Sequence, residues 1–251
     1  MRPNNILCVN ERTWGEANSY RIYTHYFTFP DMKWIKREYG YYDPNWTYPG
    51  IDSGESAFLS GNMYTVNCYG RNILKFHDGF TPAFIEEIVG ANTAYPDGYD
   101  STTFRPVGIT FKDGNWFVLS GGNNTLLKFS QDWEFIRSVS CDTSTYDEHD
   151  GLVVAPNGNL IAGTKTGHLV EFDESCEYSG AHLIDSNYQY RGAAIWNGYI
   201  VTARIWDNTI DEPDHFVTIL SYPDYKVVKN FDMTPYLNTS TNATYGTFFL
   251  N

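Results

Sequence analysis

The chain is poor in cysteine and in positive charge, and it has no long apolar run. Four cysteines (Cys8, Cys68, Cys141, Cys176) occur in 251 residues, with no CxxC or other metal-ligand spacing. That argues against a zinc framework, and at this density free thiols in a reducing compartment are expected, with a disulfide as the minority alternative. Met1-Arg2-Pro3-Asn4-Asn5 leads into only four apolar residues, Ile6 to Val9, too few for the apolar region of a secretory leader. No run is long enough to cross a bilayer as a helix, so synthesis in the cytoplasm is expected. Lys and Arg total 17 against 30 Asp and Glu, giving a net charge of −13 with no basic block. Such a surface repels phosphate backbones and anionic lipid, which sets aside nucleic acid and membranes as partners. Catalytic signatures are missing as well: there is no GxSxG, HExxH, P-loop or GxGxxG.

What is present is a set of strong β-formers, 20 Tyr, 16 Phe and 7 Trp, punctuated by 21 Gly and 11 Pro. A hydrophobic content of 42% is ample for a core without metal or disulfide. Three segments repeat one pattern: Gly108 to Val139, Gly151 to Phe172 and Gly192 to Trp206. A fourth, Glu55 to Phe76, has Glu where the others have Gly. Each opens with a short apolar strand and a tight turn (Ser60-Gly61-Asn62, Asp113-Gly114-Asn115, Asn157-Gly158-Asn159, Asn197-Gly198-Tyr199). The paired residues before each turn's end supply the positive φ of a two-residue hairpin. A second strand, a loop, a third strand ending in an aromatic and a polar fourth strand complete the unit. The period, about 40 to 53 residues, is that of four-stranded propeller blades.

The two ends of the sequence fit together. Residues 5–39 supply three strands of a blade, and Tyr245 to Leu250 supplies the missing innermost one. The reading is all-β: a single domain, 1–251, forming a five-bladed β-propeller of four-stranded antiparallel blades. The blades span about 245–251 with 1–40, then 54–90, 105–140, 149–185 and 190–233. The C-terminal strand completes the N-terminal blade and removes exposed strand edges.

Gly151-LVVAPNGNLIAGTKTGHLVEFD-Asp173 resembles an NHL-type propeller repeat, and Gly54 to Phe76 resembles the opening blade of regucalcin-like gluconolactonases. Those lactonases hold a divalent cation, Ca²⁺ among them, on the axis with Glu, Asn and Asp side chains. The resemblance carries the Glu onto Glu55 and the Asn position onto Asp150. The Asp position falls on Arg191, whose charge opposes a metal, and the ring here has five blades instead of six. A second enzymatic reading is a glycosidase with axial carboxylates from Asp52, Glu55 and Asp150. Against both stands a bland account of the axial mouth (Glu55, His149, Asp150, Tyr190, Arg191). Asp150 and Arg191 pair across it, Glu55 accepts from inner-strand amides, and His149 is a hydrogen-bonded rim residue.

The long loops all fall on one face. They carry Trp14, Trp46, Tyr48, Tyr95, Tyr99, Tyr146 and Trp206 among Asp, Asn, Ser and Thr. Flat rings beside carboxylates and amides suit sugar rings, and equally a protein epitope; packing of the rings onto the rim is the structural alternative. The leading reading is a non-catalytic binding module with no cofactor. Its partner is a protein or a carbohydrate, and its setting a large assembly such as a virus or phage particle.

Overall fold

The computed structural model describes residues 5–14, 20–39, 55–68, 70–77, 83–121, 124–141, 149–206, 215–237 and 243–250; for 12–14, 20–22, 39, 205–206 and 243–250 this covers the backbone alone. Five sheets of four antiparallel strands form a five-bladed β-propeller. Blade 1 combines β20 (Ala243–Leu250) with β1 (Ile6–Trp14), β2 (Tyr20–Thr28) and β3 (Lys33–Tyr39). Blade 2 holds β4 (Ser56–Leu59), β5 (Asn62–Asn67), β6 (Asn72–His77) and β7 (Ala83–Val89). Blade 3 holds β8 (Pro106–Lys112), β9 (Asn115–Ser120), β10 (Thr125–Ser130) and β11 (Phe135–Ser140). Blade 4 holds β12 (His149–Val154), β13 (Leu160–Thr164), β14 (His168–Phe172) and β15 (Tyr178–Leu183). Blade 5 holds β16 (Tyr188–Trp196), β17 (Tyr199–Trp206), β18 (Phe216–Ser221) and β19 (Val227–Asp232). A short 3-10 turn, Thr234–Tyr236, follows.

Burial follows position within a blade. Middle strands are covered on both sides by neighbouring blades, so β13 is buried at every residue and reads LIAGT without polar alternation. Outer strands such as β11 and β19 are largely exposed and mix polar residues with exposed apolar ones, Ile136, Val227 and Val228 among them. Among the described residues the core falls into five apolar clusters, each shared by two adjacent blades, so the packing runs round the whole ring. At the junction of blades 2 and 3, Trp116 is fully buried, stacked on Trp133 at 4.7 Å and tilted against Tyr64 at 4.5 Å. Its indole N–H donates to the Gln131 carbonyl at 3.2 Å, so the ring is buried with its polar atom satisfied.

Three hairpins have the expected geometry, with positive φ at Ser60-Gly61, Asp113-Gly114 and Asn197-Gly198. The fourth differs. Gly158 N–H donates to the Ala155 carbonyl, Gly158 alone takes positive φ, and Ala155 N–H closes on the Asn159 carbonyl. Pro156 is the reason: its fixed φ suits the second position of a type I turn, which then needs one left-handed residue to exit.

The cysteines require a correction. Cys141, just after β11, forms a disulfide with Cys176 in the β14–β15 turn, with Cα atoms 4.9 Å apart. The low cysteine density points to free thiols, and the two bonded cysteines are 35 residues apart in sequence. The packing of blade 3 against blade 4 brings them into one apolar cluster.

Candidate functional site

The axis is closed by backbone. Inner-strand pairing slips at Pro106/Gly108, Asp150/Val153 and Arg191/Ala193, and β20 slips against β1 at Asn10/Glu11, opposite Gly246. Each slip is a bulge that locally bends the strand. Gly108, Gly151 and Gly192 meet there; a Cβ on Gly108 would lie 2.5 Å from the Gly151 carbonyl carbon, and one on Gly151 would lie 2.5 Å from Gly192 Cα. The glycines that mark the repeat in the sequence are therefore required by close backbone approach.

Blade 2 contributes Glu55 at this level. Its side chain is 2% exposed and crosses the axis. Oε1 accepts the N–H of Ala193 at 2.5 Å, Oε2 accepts that of Leu152, and the N–H of Ile109 also faces the carboxylate. Burial pushes its pKa well above the usual carboxylate value, against the lowering effect of these amides, and the charge of Asp150 adds to the rise.

Asp150 and Arg191 lie just outside the glycine layer. Arg191 Nη1 donates to Asp150 Oδ2 at 2.6 Å, and Nη2 donates to Gln189 Oε1 at 3.2 Å. The other two residues of the predicted mouth sit in its walls. His149 is 2% exposed, with Nε2 2.9 Å from the Tyr178 hydroxyl and its ring stacked on Tyr178. Tyr190 is 1% exposed within the blade 4–5 cluster, where burial pushes its hydroxyl pKa up to about 12.

On the long-loop face, Tyr95 and Tyr99 are half-buried and set edge-on to Phe104 at 5.8 Å and 6.3 Å. Their loop is fixed by Asp100, whose Oδ1 accepts the N–H and hydroxyl groups of both Thr102 and Thr103. These bonds, that to the Thr102 hydroxyl foremost, hold the Asp100 pKa far below its usual value. Trp46, Tyr48 and Tyr146 lie outside the described residues, as do Asp52 and the side chains of Trp14 and Trp206, whose backbones end β1 and β17.

Sequence reasoning missed one polar cluster on the opposite face. Glu171 accepts from Asn157 Nδ2 at 2.6 Å, Asn159 Nδ2 at 2.8 Å and the Tyr225 hydroxyl at 2.7 Å. His182 stacks on Tyr225 with centroids 3.6 Å apart. The cluster joins the turns of blades 4 and 5 and its groups satisfy one another. Nothing in the linear order of these residues signals it.

No protein-family model matches the chain, and no curated protein matches it in sequence. Its structural neighbours are β-propeller proteins. One is a Bacteroides caccae protein of unknown function, 11% identical, covering 100% of both chains with a TM-score of 0.59. Another comes from a nidogen/laminin complex, 10% identical, covering 98% of each chain at 0.55. A third is the glutaminyl cyclase of Myxococcus xanthus, 12% identical, covering 85% of this chain and 88% of that one at 0.54. At such identities the likeness shows the fold alone.

Proposed function

We propose that this propeller is a non-catalytic binding module whose long-loop face engages a protein partner or a carbohydrate. The fold does not decide the matter, since its neighbours include an enzyme and a chain taken from a protein–protein complex. One observation carries the reading: the two axial carboxylates among the described residues, Glu55 and Asp150, are already committed. Glu55 is surrounded by backbone N–H groups and Asp150 is paired with Arg191.

A divalent cation of the gluconolactonase type does not fit this donor set. N–H dipoles present their positive ends to both Glu55 oxygens, and a guanidinium occupies Asp150. A glycosidase needs one carboxyl poised to protonate a leaving group and another facing substrate or water. Glu55 is sealed below the glycine layer and Asp150 is ion-paired, which supports neither role.

The setting we infer is a large assembly such as a virus or phage particle. The Cys141–Cys176 disulfide supports a working place outside a reducing cytoplasm, particle surfaces among them. The test is a glycan array run beside a pull-down from the native source, with a gluconolactone hydrolysis assay in Ca²⁺, Mn²⁺ or Zn²⁺. Saturable capture of one glycan class or one protein, with no turnover, is the expected result. Metal-dependent turnover abolished by Glu55→Gln would overturn the proposal.

A further inference from the structure

Each blade ends in an outer strand whose far edge pairs with nothing in its own sheet: β3, β7, β11, β15 and β19. Unpaired edges invite further strands, and folded proteins commonly guard them with charged side chains. Four of the five follow that rule, with Lys36 on β3, Glu86 on β7, Arg137 on β11 and Lys229 on β19. The fifth, β15 of blade 4, reads YSGAHL and holds no Asp, Glu, Lys, Arg or Pro. It ends on Leu183, at 58% the most exposed of the large apolar side chains among the described residues.

Pairing within the blade determines which groups β15 presents. Ile184 N–H donates to the Gly167 carbonyl at 3.0 Å, and His168 N–H turns the other way, to Thr164 Oγ1 at 3.1 Å. Antiparallel bonds alternate along a strand, so Ala181 and Leu183, opposite Val170 and His168, direct their N–H and C=O groups outward. The two sets lie about 7 Å apart, the repeat that another extended strand offers. Both faces of β15 are anchored: Ala181 packs against the blade 3–4 cluster, and His182 stacks on Tyr225 of the β18–β19 turn. Desolvation, against the charge of Glu171, lowers the His182 pKa, so the strand is uncharged at neutral pH. Acids stand at its ends instead, exposed Glu177 before it and half-buried Asp185 beyond it.

We propose that the β15 edge takes an extended segment of a partner protein, added to blade 4 as a fifth strand. The segment's backbone pairs with Ala181 and Leu183, an apolar side chain covers Leu183, and basic residues at its two ends meet Glu177 and Asp185. A chain of net charge −13 repels an acidic segment and a second copy of itself, which favours a strand with basic ends. The site lies on the outer rim and is independent of the long-loop face and of the function proposed above.

The test is an amide-resolved NMR titration of the intact chain with the peptide Lys-Val-Thr-Val-Thr-Val-Lys. One control peptide has Glu in place of both lysines. The other keeps the lysines but is N-methylated at the central Val and the Thr after it, which blocks both of its edges. Saturable shifts of the Ala181 and Leu183 amides are expected, with binding at least about tenfold weaker, or about 1.4 kcal/mol, for either control. Leu183→Lys gives the edge the kind of charge its four counterparts carry and should weaken binding to a similar extent. Where that variant does not fold, the N-methylated control decides alone. Equal binding of the N-methylated peptide, shifts confined to surface acids, or no shift at all would overturn the proposal. So would dimerisation in sedimentation runs without peptide that moves the same two amides, since the edge would then belong to a second copy of the chain.

Discussion

The backbone N–H of Ala193 donates to Glu55 Oε1 at 2.5 Å across 138 residues of sequence. The same carboxylate receives Leu152 and faces Ile109, so one side chain of blade 2 holds the inner strands of blades 3, 4 and 5. Glu55→Ala should leave these buried amides without an acceptor, at about 1–3 kcal/mol for each group left unsatisfied. Urea unfolding should therefore show a loss of at least about 3 kcal/mol. An unchanged midpoint would mean that the glycine layer alone holds the axis.

The pH dependence follows from the direction of the Glu55 shift. Burial raises its folded pKa above the ordinary carboxylate value, so the folded state binds this proton more tightly than the unfolded chain does. That contribution is complete below the unfolded pKa and is lost as pH rises through the folded one. Glu55→Gln removes the titration. The stability of the wild type relative to Glu55→Gln should therefore fall as pH rises from the ordinary carboxylate range through the raised folded pKa, measured by urea unfolding at each pH. A constant difference across that interval would show that Glu55 does not titrate there.

Asp150 and Arg191 offer a separable test, since the pair is only partly shielded, with side-chain exposures of 12% and 20%. Arg191→Met strands a largely buried carboxylate, and a loss of about 2 kcal/mol is expected, below the 3–5 kcal/mol for fully buried pairs. Adding Asp150→Asn should restore most of it. A double-mutant cycle with no coupling would show that the pair contributes nothing to the mouth.

The disulfide closes a loop across the blade 3–4 junction. Cys141→Ser, Cys176→Ser or chemical reduction should each lower stability by about 2–4 kcal/mol, with no additivity between the two substitutions. Thermal melts with and without reductant measure this. Intact-mass analysis after thiol alkylation under non-reducing conditions would contradict the bridge if Cys141 and Cys176 both take the label.

Much of this was legible in the residues because a propeller repeats. Positive-φ pairs such as Asp113-Gly114 and the alternation of apolar and polar strands are local signals, and local chemistry determines them. The hairpin after Ala155 departs from the two-residue geometry that Asn157-Gly158 signals because Pro156 determines the turn type. The repeated glycines were visible, but their cause was not: it lies in contacts between Gly108, Gly151 and Gly192, which belong to three different blades. The Cys141–Cys176 bridge and the Glu171–Tyr225 cluster are likewise products of blade packing, which leaves no trace in residue spacing.

The aromatic face carries the functional proposal, and its residues should divide into two groups. Tyr99 is half-buried edge-on to Phe104, so Tyr99→Ala should cost about 1–3 kcal/mol of stability, between a surface and a core truncation. Trp46→Ala, Trp14→Ala and Trp206→Ala should each cost under about 0.5 kcal/mol if the rings serve as anchors, as surface truncations do. They should at the same time weaken capture of the glycan or protein partner, with one or more exceeding about 2 kcal/mol in the manner of interface hot spots. Thermal melts run beside binding isotherms for the four variants separate the effects. Binding that survives all three tryptophan substitutions, together with melting lowered to the extent of Tyr99→Ala, would make these rings part of the rim packing, and the long-loop face would lose its claim to a partner.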